Sequence, residues 1–87
     1  MAGTFHLVIS SVGETHFDGE ATSATFPGSA GEFTILAHHE PFVSTLTEGR
    51  VTVRLPASTG VSSAAPKEFP VRNGILECSG NRAVVLL

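Results

Sequence analysis

The sequence has few of the features that several classes of protein require. It contains one cysteine, no tryptophan or tyrosine, and five lysines and arginines against eight acidic residues, for a formal charge of −3. A lone cysteine cannot form an internal disulfide, which indicates a reducing compartment. Because no concentrated cationic face is present, the chain is not expected to bind nucleic acid.

Long apolar runs are also missing. The longest are Leu7–Ile9 and Ala83–Leu87, far short of the roughly 20 residues that a membrane-spanning helix needs. No charged and then apolar leader precedes Phe5, so we expect a protein that is neither exported nor inserted directly into a membrane. With 87 residues the chain is predicted to form a single domain, residues 1–87.

The apolar residues that are present alternate with polar ones. Alternate positions of Phe5–Ile9 and of Arg50–Leu55 are apolar, and turn-forming residues separate such stretches. A period of two is typical of strands, and we find no helical period. The sequence therefore predicts an all-β fold, an antiparallel β-sandwich or flattened barrel of about ten short strands.

Three dipeptides are typical of tight β-turns. Asp18-Gly19 predicts a hairpin within Thr15–Phe26, and Asn73-Gly74 predicts another within Lys67–Ser79. Gly80-Asn81 predicts the return of the chain into its last strand.

Candidate catalytic and metal sites are weak. His38 and His39 are adjacent and so point to opposite sides of an extended chain, and no further histidine or cysteine lies at ligand spacing, so turn or interface histidines are the better interpretation. Gly28–Gly31 matches neither a nucleophile elbow nor a phosphate loop. Cys78 shares a strand face with Leu76, which predicts a buried and inert thiol. We expect no catalytic residue, metal or cofactor.

The segment Phe26–Pro41 is the most distinctive part of the chain. Pro27 and the glycines at 28 and 31 predict a chain reversal in which Gly31 needs a positive φ. Glu32 follows at the lip of this turn. A turn-tip carboxylate is usually solvated, so we interpret Glu32 as a contact residue and not as a general acid.

Phe26–Pro41 resembles the signature of the epsilon subunit of F-type ATP synthases, a rotor subunit. The similarity continues over essentially the whole chain, in Phe5–Ile9, Phe17–Glu20, Leu46–Val53, Phe69–Glu77 and Asn81–Leu86. The resemblance implies a ten-stranded β-sandwich without catalytic activity, which holds the gamma subunit and sits on the polar loops of the membrane c-ring. It also implies a peripheral place on the cytoplasmic face of the inner (plasma) membrane of a bacterium.

The same resemblance implies which residues make these contacts. Those implied to face the c-ring are Ser29, Gly31 and Glu32. Those implied to face gamma are Ser11, His39, Phe42 and Ser44. A generic β-sandwich protein-binding module is the alternative, and a small β-domain enzyme is a weaker third.

The chain departs from the family pattern in four respects. Thr34 and His38 occupy positions where the family usually has glycine, and the loop Pro56–Lys67 is longer than usual. The C-terminal helical hairpin of typical members has no counterpart in these 87 residues. The sequence thus resembles the N-terminal β-sandwich domain of the family.

Overall fold

The structure, a computed structural model, describes residues 3–56 and 66–87. Within these ranges every regular element is a strand. The described residues therefore contain no candidate for a membrane-spanning helix. The strands are β1 (Phe5–Ser11), β2 (Glu14–Ala21), β3 (Ser23–Gly28), β4 (Gly31–Leu36), β5 (Phe42–Leu46), β6 (Gly49–Arg54), β7 (Lys67–Val71), β8 (Gly74–Ser79) and β9 (Arg82–Leu86). Most of the loop predicted at Pro56–Lys67 lies outside the described residues.

The strands form one sheet that curls into two layers. The first layer has the order β2-β1-β9-β8-β5, and the second has the order β4-β3-β6-β7. They join where Gly28 of β3 pairs with Leu46 of β5. At the other edges, the rings of Phe17 in β2 and Phe69 in β7 meet edge to face at 5.8 Å. The predicted all-β sandwich is confirmed, with nine strands in the described part of the chain.

One pair of strands departs from the predicted antiparallel arrangement. β1 and β9 run parallel, from His6 opposite Arg82 to Ser10 opposite Leu86. Parallel strands need a long crossover, and here the whole intervening chain provides it. The prediction was wrong at this pair because local alternation carries no information about which distant strands become neighbours.

The core lies between the two layers and is built from alternate residues of the strands. Buried apolar side chains are Phe5, Leu7, Ile9, Ala21, Ala24, Phe26, Ile35, Leu46, Val51, Val53, Val71, Leu76, Cys78, Ala83 and Val85. This set confirms the predicted inward faces of β1 and β6 and the predicted burial of the cysteine. The buried residues include no polar or charged side chain within the described ranges.

Two of the three predicted turns are wrong. Asp18-Gly19 lies inside β2, and the first hairpin instead turns at Val12-Gly13, where Gly13 has φ +79°. Asn73-Gly74 connects the two layers and does not close a hairpin, since β7 pairs with β6 and β8 pairs with β5 and β9. The turn at Gly80-Asn81 is confirmed as the connection of the β8–β9 hairpin.

Candidate functional site

The β3–β4 hairpin ends in an exposed tip, Ser29–Glu32. Gly31 has φ +133°, which confirms the predicted positive φ, and side chains other than glycine rarely adopt this conformation. Gly28 is confined by close approach, because an added Cβ would lie 2.6 Å from the carbonyl oxygen of Gly31. The two glycines therefore allow the reversal for different reasons, one conformational and one steric.

Hydrogen bonds attach the tip to the neighbouring strand β5. The amide of Ser29 donates to the carbonyl of Thr45 at 3.0 Å, and the Thr45 hydroxyl donates to the Ser29 hydroxyl at 2.9 Å. Just beyond β5, the amide of Thr47 donates to the carbonyl of Pro27 at 2.8 Å. The tip is thus held to both layers of the sandwich, which makes it a fixed projection.

Glu32 projects outward from the second layer. Phe26 and Phe33 face each other on the inner side of the β3–β4 pair, so the next pair, Pro27 and Glu32, faces outward. Glu32 is exposed, as are Ser29 and Gly31. The structure therefore brings together the three residues implied to face a c-ring on one rigid, exposed surface.

Three of the four residues implied to face gamma also lie close together. The rings of His39 and Phe42 meet at 5.8 Å, and Phe42 packs edge to face on Phe33 at 5.1 Å. Because Phe33 packs against the core, Phe42 is anchored although it is partly exposed. Ser44 lies two residues further along β5 and donates to the carbonyl of Thr45 at 2.9 Å.

Ser11, the fourth of these residues, lies elsewhere. It ends β1, and its Oγ is 2.9 Å from Nε2 of His16. Strands β9 and β8 separate β1 from β5, and Ser11 lies at the end of the sandwich opposite His39. The structure does not bring Ser11 next to the other three.

An exposed apolar strip, which the sequence reasoning missed, crosses the first layer from β5 to β9. It consists of Val43, Ile75 and Leu86 on the outer face of the first layer, with 65%, 43% and 55% of their surfaces exposed. Ile75 lies opposite Leu86, and Leu86 lies opposite Ser10, the neighbour of Ser11. The apolar run Ala83–Leu87 was a signal for this strip, since a strand apolar at successive positions must present apolar groups on both faces.

A polar cluster lies at the far edge of the same face. Nε2 of His6 is 2.6 Å from Asp18 Oδ1, and Nδ1 is 3.1 Å from Glu20 Oε2. The Thr4 hydroxyl donates to Glu20 at 2.8 Å. The hydrogen bond from Thr4, followed by that from His6, lowers the pKa of Glu20. The ring nitrogens of His6 face different carboxylates, and no metal-ligating group of three is found in the described residues.

The loop that follows β4 is shaped by a histidine in a left-handed conformation. His38 has φ +62°, at a position where the resemblance implied a glycine, and its amide donates to Oδ1 of Asn81 at 2.7 Å. Asn81 in turn donates to the carbonyl of Thr4 at 2.9 Å. The His38 amide is thus occupied by a structural contact.

Burial also raises the pKa of the Cys78 thiol, in keeping with an unreactive cysteine.

Comparison with known families decides the affiliation of the chain. Residues 4–87 match the family model described as "ATP synthase, Delta/Epsilon chain, beta-sandwich domain". The chain belongs to this family. The resemblance inferred from the sequence is therefore confirmed for the N-terminal β domain.

Several delta/epsilon-family relatives are similar along most of the chain. The ATP synthase epsilon chain of Caulobacter vibrioides is 49% identical over 70 residues, which cover 80% of this chain and 73% of the relative. That of Chlorobium limicola is 34% identical, covering 94% of this chain and 86% of the relative. That of Bradyrhizobium sp. (strain ORS 278) is 44% identical, covering 95% of this chain and 56% of the relative.

Solved structures share the delta/epsilon β-sandwich fold. A chain in the Tetrahymena thermophila mitochondrial ATP synthase, central stalk/c-ring, superposes with a TM-score of 0.70 at 15% identity, covering 93% of this chain and 60% of that one. A chain in the Euglena gracilis mitochondrial ATP synthase superposes with a TM-score of 0.80 at 18% identity, covering 95% of this chain and 49% of that one. At these identities the likeness concerns the fold.

Proposed function

We propose that the chain is a non-catalytic central-stalk subunit of a proton-translocating F-type ATP synthase. In this role it links the gamma subunit to the membrane c-ring and couples rotation to ATP synthesis. The family match over residues 4–87 carries the proposal. Relatives named ATP synthase epsilon chain, and fold neighbours in complexes that include a c-ring, support it.

The hairpin tip is the proposed contact with the c-ring. Ser29, Gly31 and Glu32 are exposed there, and hydrogen bonds to β5 hold the tip in place before any partner arrives. A preorganised surface loses little conformational entropy on binding. An exposed carboxylate at one end of the tip favours correct orientation more than raw affinity, which suits a contact that must hold one register under torque.

The outer face of the first layer is the proposed contact with gamma. The apolar strip lies on this face from β5 to β9 and ends at Leu86, opposite Ser10, the neighbour of Ser11. Phe42 and Ser44 pair with the buried Cys78 and Leu76, so they lie on the other side of β5, where Phe42 remains partly exposed beside His39. Isolated exposed apolar residues need no explanation, but three of them grouped on one face of three adjacent strands are typical of a binding surface. The proposed gamma contact therefore comprises this strip and the adjoining end of β5, where His39 and Phe42 meet.

The proposed location follows from these contacts. A subunit bound between gamma and the c-ring is a peripheral part of the complex, on the cytoplasmic face of the inner (plasma) membrane in a bacterium. The described residues supply no membrane-spanning helix for direct insertion.

Reconstitution tests the proposed function. The chain is expected to co-purify with gamma and with a c-ring, and to restore ATP-driven proton pumping to a complex depleted of its own epsilon subunit. Glu32→Lys should lower the number of protons pumped per ATP while leaving the circular dichroism spectrum unchanged. Asp18→Lys, an exposed acid further along the edge strand β2 and outside both proposed contacts, is the matched control and should pump normally.

Two results would contradict different parts of this proposal. Failure of the unaltered chain to associate with gamma and the c-ring would refute the rotor function and favour a generic binding module. Normal association with undiminished pumping by Glu32→Lys would refute the tip contact alone.

A further inference from the structure

A cavity of about 490 Å³ lies beside the hairpin tip, and two arginines line it. It is formed where β6 begins and β7 ends, at the pair Gly49 and Val71. The complete lining of this arginine pocket is Glu48, Gly49, Arg50, Pro70, Val71 and Arg72. The chain has only five lysines and arginines and a charge of −3, and two of these five cationic side chains lie in this one cavity.

Both arginines retain capacity for a further anion. Nη1 of Arg50 donates to Glu68 Oε1 at 2.9 Å, which orients the guanidinium and leaves most of its five N–H donors available. Arg72 has no carboxylate within salt-bridge distance among the described residues, and residues 1–2 and 57–65 contain no acidic side chain. Glu48 is the one carboxylate in the lining. With Glu68 included, two carboxylates face the two guanidinium groups, so it is the N–H donors left free on Arg72 and Arg50, and not a surplus of positive charge, that favour an anionic occupant.

The pocket and Glu32 share one face of the molecule. Arg50 and Pro70 form an outward-facing pair of the second layer, as Pro27 and Glu32 do. The strands are in close contact here, because a Cβ added to Gly49 would lie 2.8 Å from Cβ of Pro27. The hairpin tip therefore has an acid on one side of Pro27 and the arginine pocket on the other.

We infer that the arginine pocket receives an acidic side chain from the same partner loop that contacts the tip. Guanidinium groups bind carboxylates with paired, directional hydrogen bonds, so a carboxylate on a polar loop fits this lining. Together, Glu32 and the two arginines present opposite charges at a fixed spacing. A partner with complementary charges is accepted in one orientation and rejected in the reversed one. The inference rests on the proposed function, which makes that partner the c-ring.

Binding of the full chain to a detergent-solubilised c-ring tests the inference. Arg72→Glu is expected to weaken binding about tenfold, and Arg50→Glu with Arg72→Glu to weaken it further, with the loss shrinking as salt is raised. Arg54→Glu is the matched control, since Arg54 is an exposed arginine on the same strand but outside the pocket. One lysine substitution of an acidic c-ring loop residue should restore the affinity of Arg72→Glu.

The outcomes distinguish failure of this inference from failure of the proposed function. No binding by the unaltered chain would overturn both. Three results would overturn the pocket alone. Arg72→Glu could bind normally, Arg54→Glu could lose as much affinity as Arg72→Glu, or no lysine substitution in the c-ring loops could restore the affinity of Arg72→Glu. Binding to phosphatidylglycerol vesicles that is lost in the double variant would also overturn it, because the anion would then be a lipid phosphate.

Discussion

Both layers of the sandwich present apolar residues on their inner faces, but their outer faces differ. The first layer presents the apolar strip, whereas the second presents a row of threonines, Thr52, Thr25 and Thr34, two of which are joined by a 2.9 Å hydroxyl contact. Leu36 at the end of β4 is the exposed apolar exception on the second face. Folding requires only that the inner residues be apolar. An apolar outer face is therefore best explained by a partner.

The largest expected effect is the difference in free energy of unfolding between substitutions of an inward-facing and an outward-facing residue of one strand. Leu76 is fully buried and Ile75, its neighbour in β8, is 43% exposed. We expect Leu76→Ala to lower the free energy of unfolding by about 2–5 kcal/mol, and Ile75→Ala by less than about 1 kcal/mol. Urea denaturation of both variants measures this. Equal costs would make the strip part of the core and remove the contrast between the faces.

The next effect concerns the hairpin tip at which the second layer ends. Gly31→Val should cost on the order of 1–3 kcal/mol, since a β-branched residue is forced to φ +133°. Ala30→Val, one residue earlier and equally exposed, is the control and should be close to neutral. If thermal denaturation of Gly31→Val matched that of the unaltered chain, Gly31 would have no special backbone role.

A third pair of variants compares the faces directly as binding surfaces. Ile75→Lys places a charge in the apolar strip and is expected to weaken binding to gamma about tenfold or more, because desolvating that charge opposes docking. Thr34→Lys places the same charge on the second face and should leave gamma binding unchanged. Calorimetric titration of gamma with each variant measures the difference. Equal affinities would show that the strip is not the gamma surface.

The smallest expected effect is on the pH dependence of stability, through Glu20 in the polar cluster. Thr4 and His6 lower the pKa of Glu20 from its ordinary value of 4.5. A carboxyl whose pKa is depressed in the folded state adds stability above the unfolded pKa and loses it as the pH falls through the folded pKa. Melting temperatures between pH 6 and pH 3 should therefore fall slightly less in Glu20→Gln. Identical slopes would mean that these contacts do not persist in solution.

Alternation predicted the inner faces because it is a local property of each strand. Turn dipeptides were less reliable, since tertiary contacts overrode them. Asp18-Gly19 is held in β2 by pairing with β1 and by the contact of Asp18 with His6. Gly74 is a glycine because β9 passes so close that an added Cβ would lie 2.6 Å from the carbonyl oxygen of Leu86, and not because it closes a hairpin.

The two proposed contact surfaces also differ in how far the sequence could predict them. The hairpin tip is one continuous segment, so a resemblance over a few residues was enough to assemble it. The apolar strip draws Val43, Ile75 and Leu86 from three strands, and only the register of those strands brings them together. The arginine pocket likewise depends on the pairing of β6 with β7, which no local pattern of Arg50 or Arg72 encodes.

The parallel pairing of β1 with β9 has a consequence for biosynthesis. A side-chain bond from Asn81 to the Thr4 carbonyl joins residues 77 positions apart, and the β1–β9 ladder has a comparable separation. Such contacts form slowly, because a long loop must close before any of them can be made. As the chain leaves the ribosome, the β9-side edge of β1 therefore has no strand to pair with until residues Arg82–Leu86 have been made. During that interval this edge is the part of the nascent chain most exposed to misassociation.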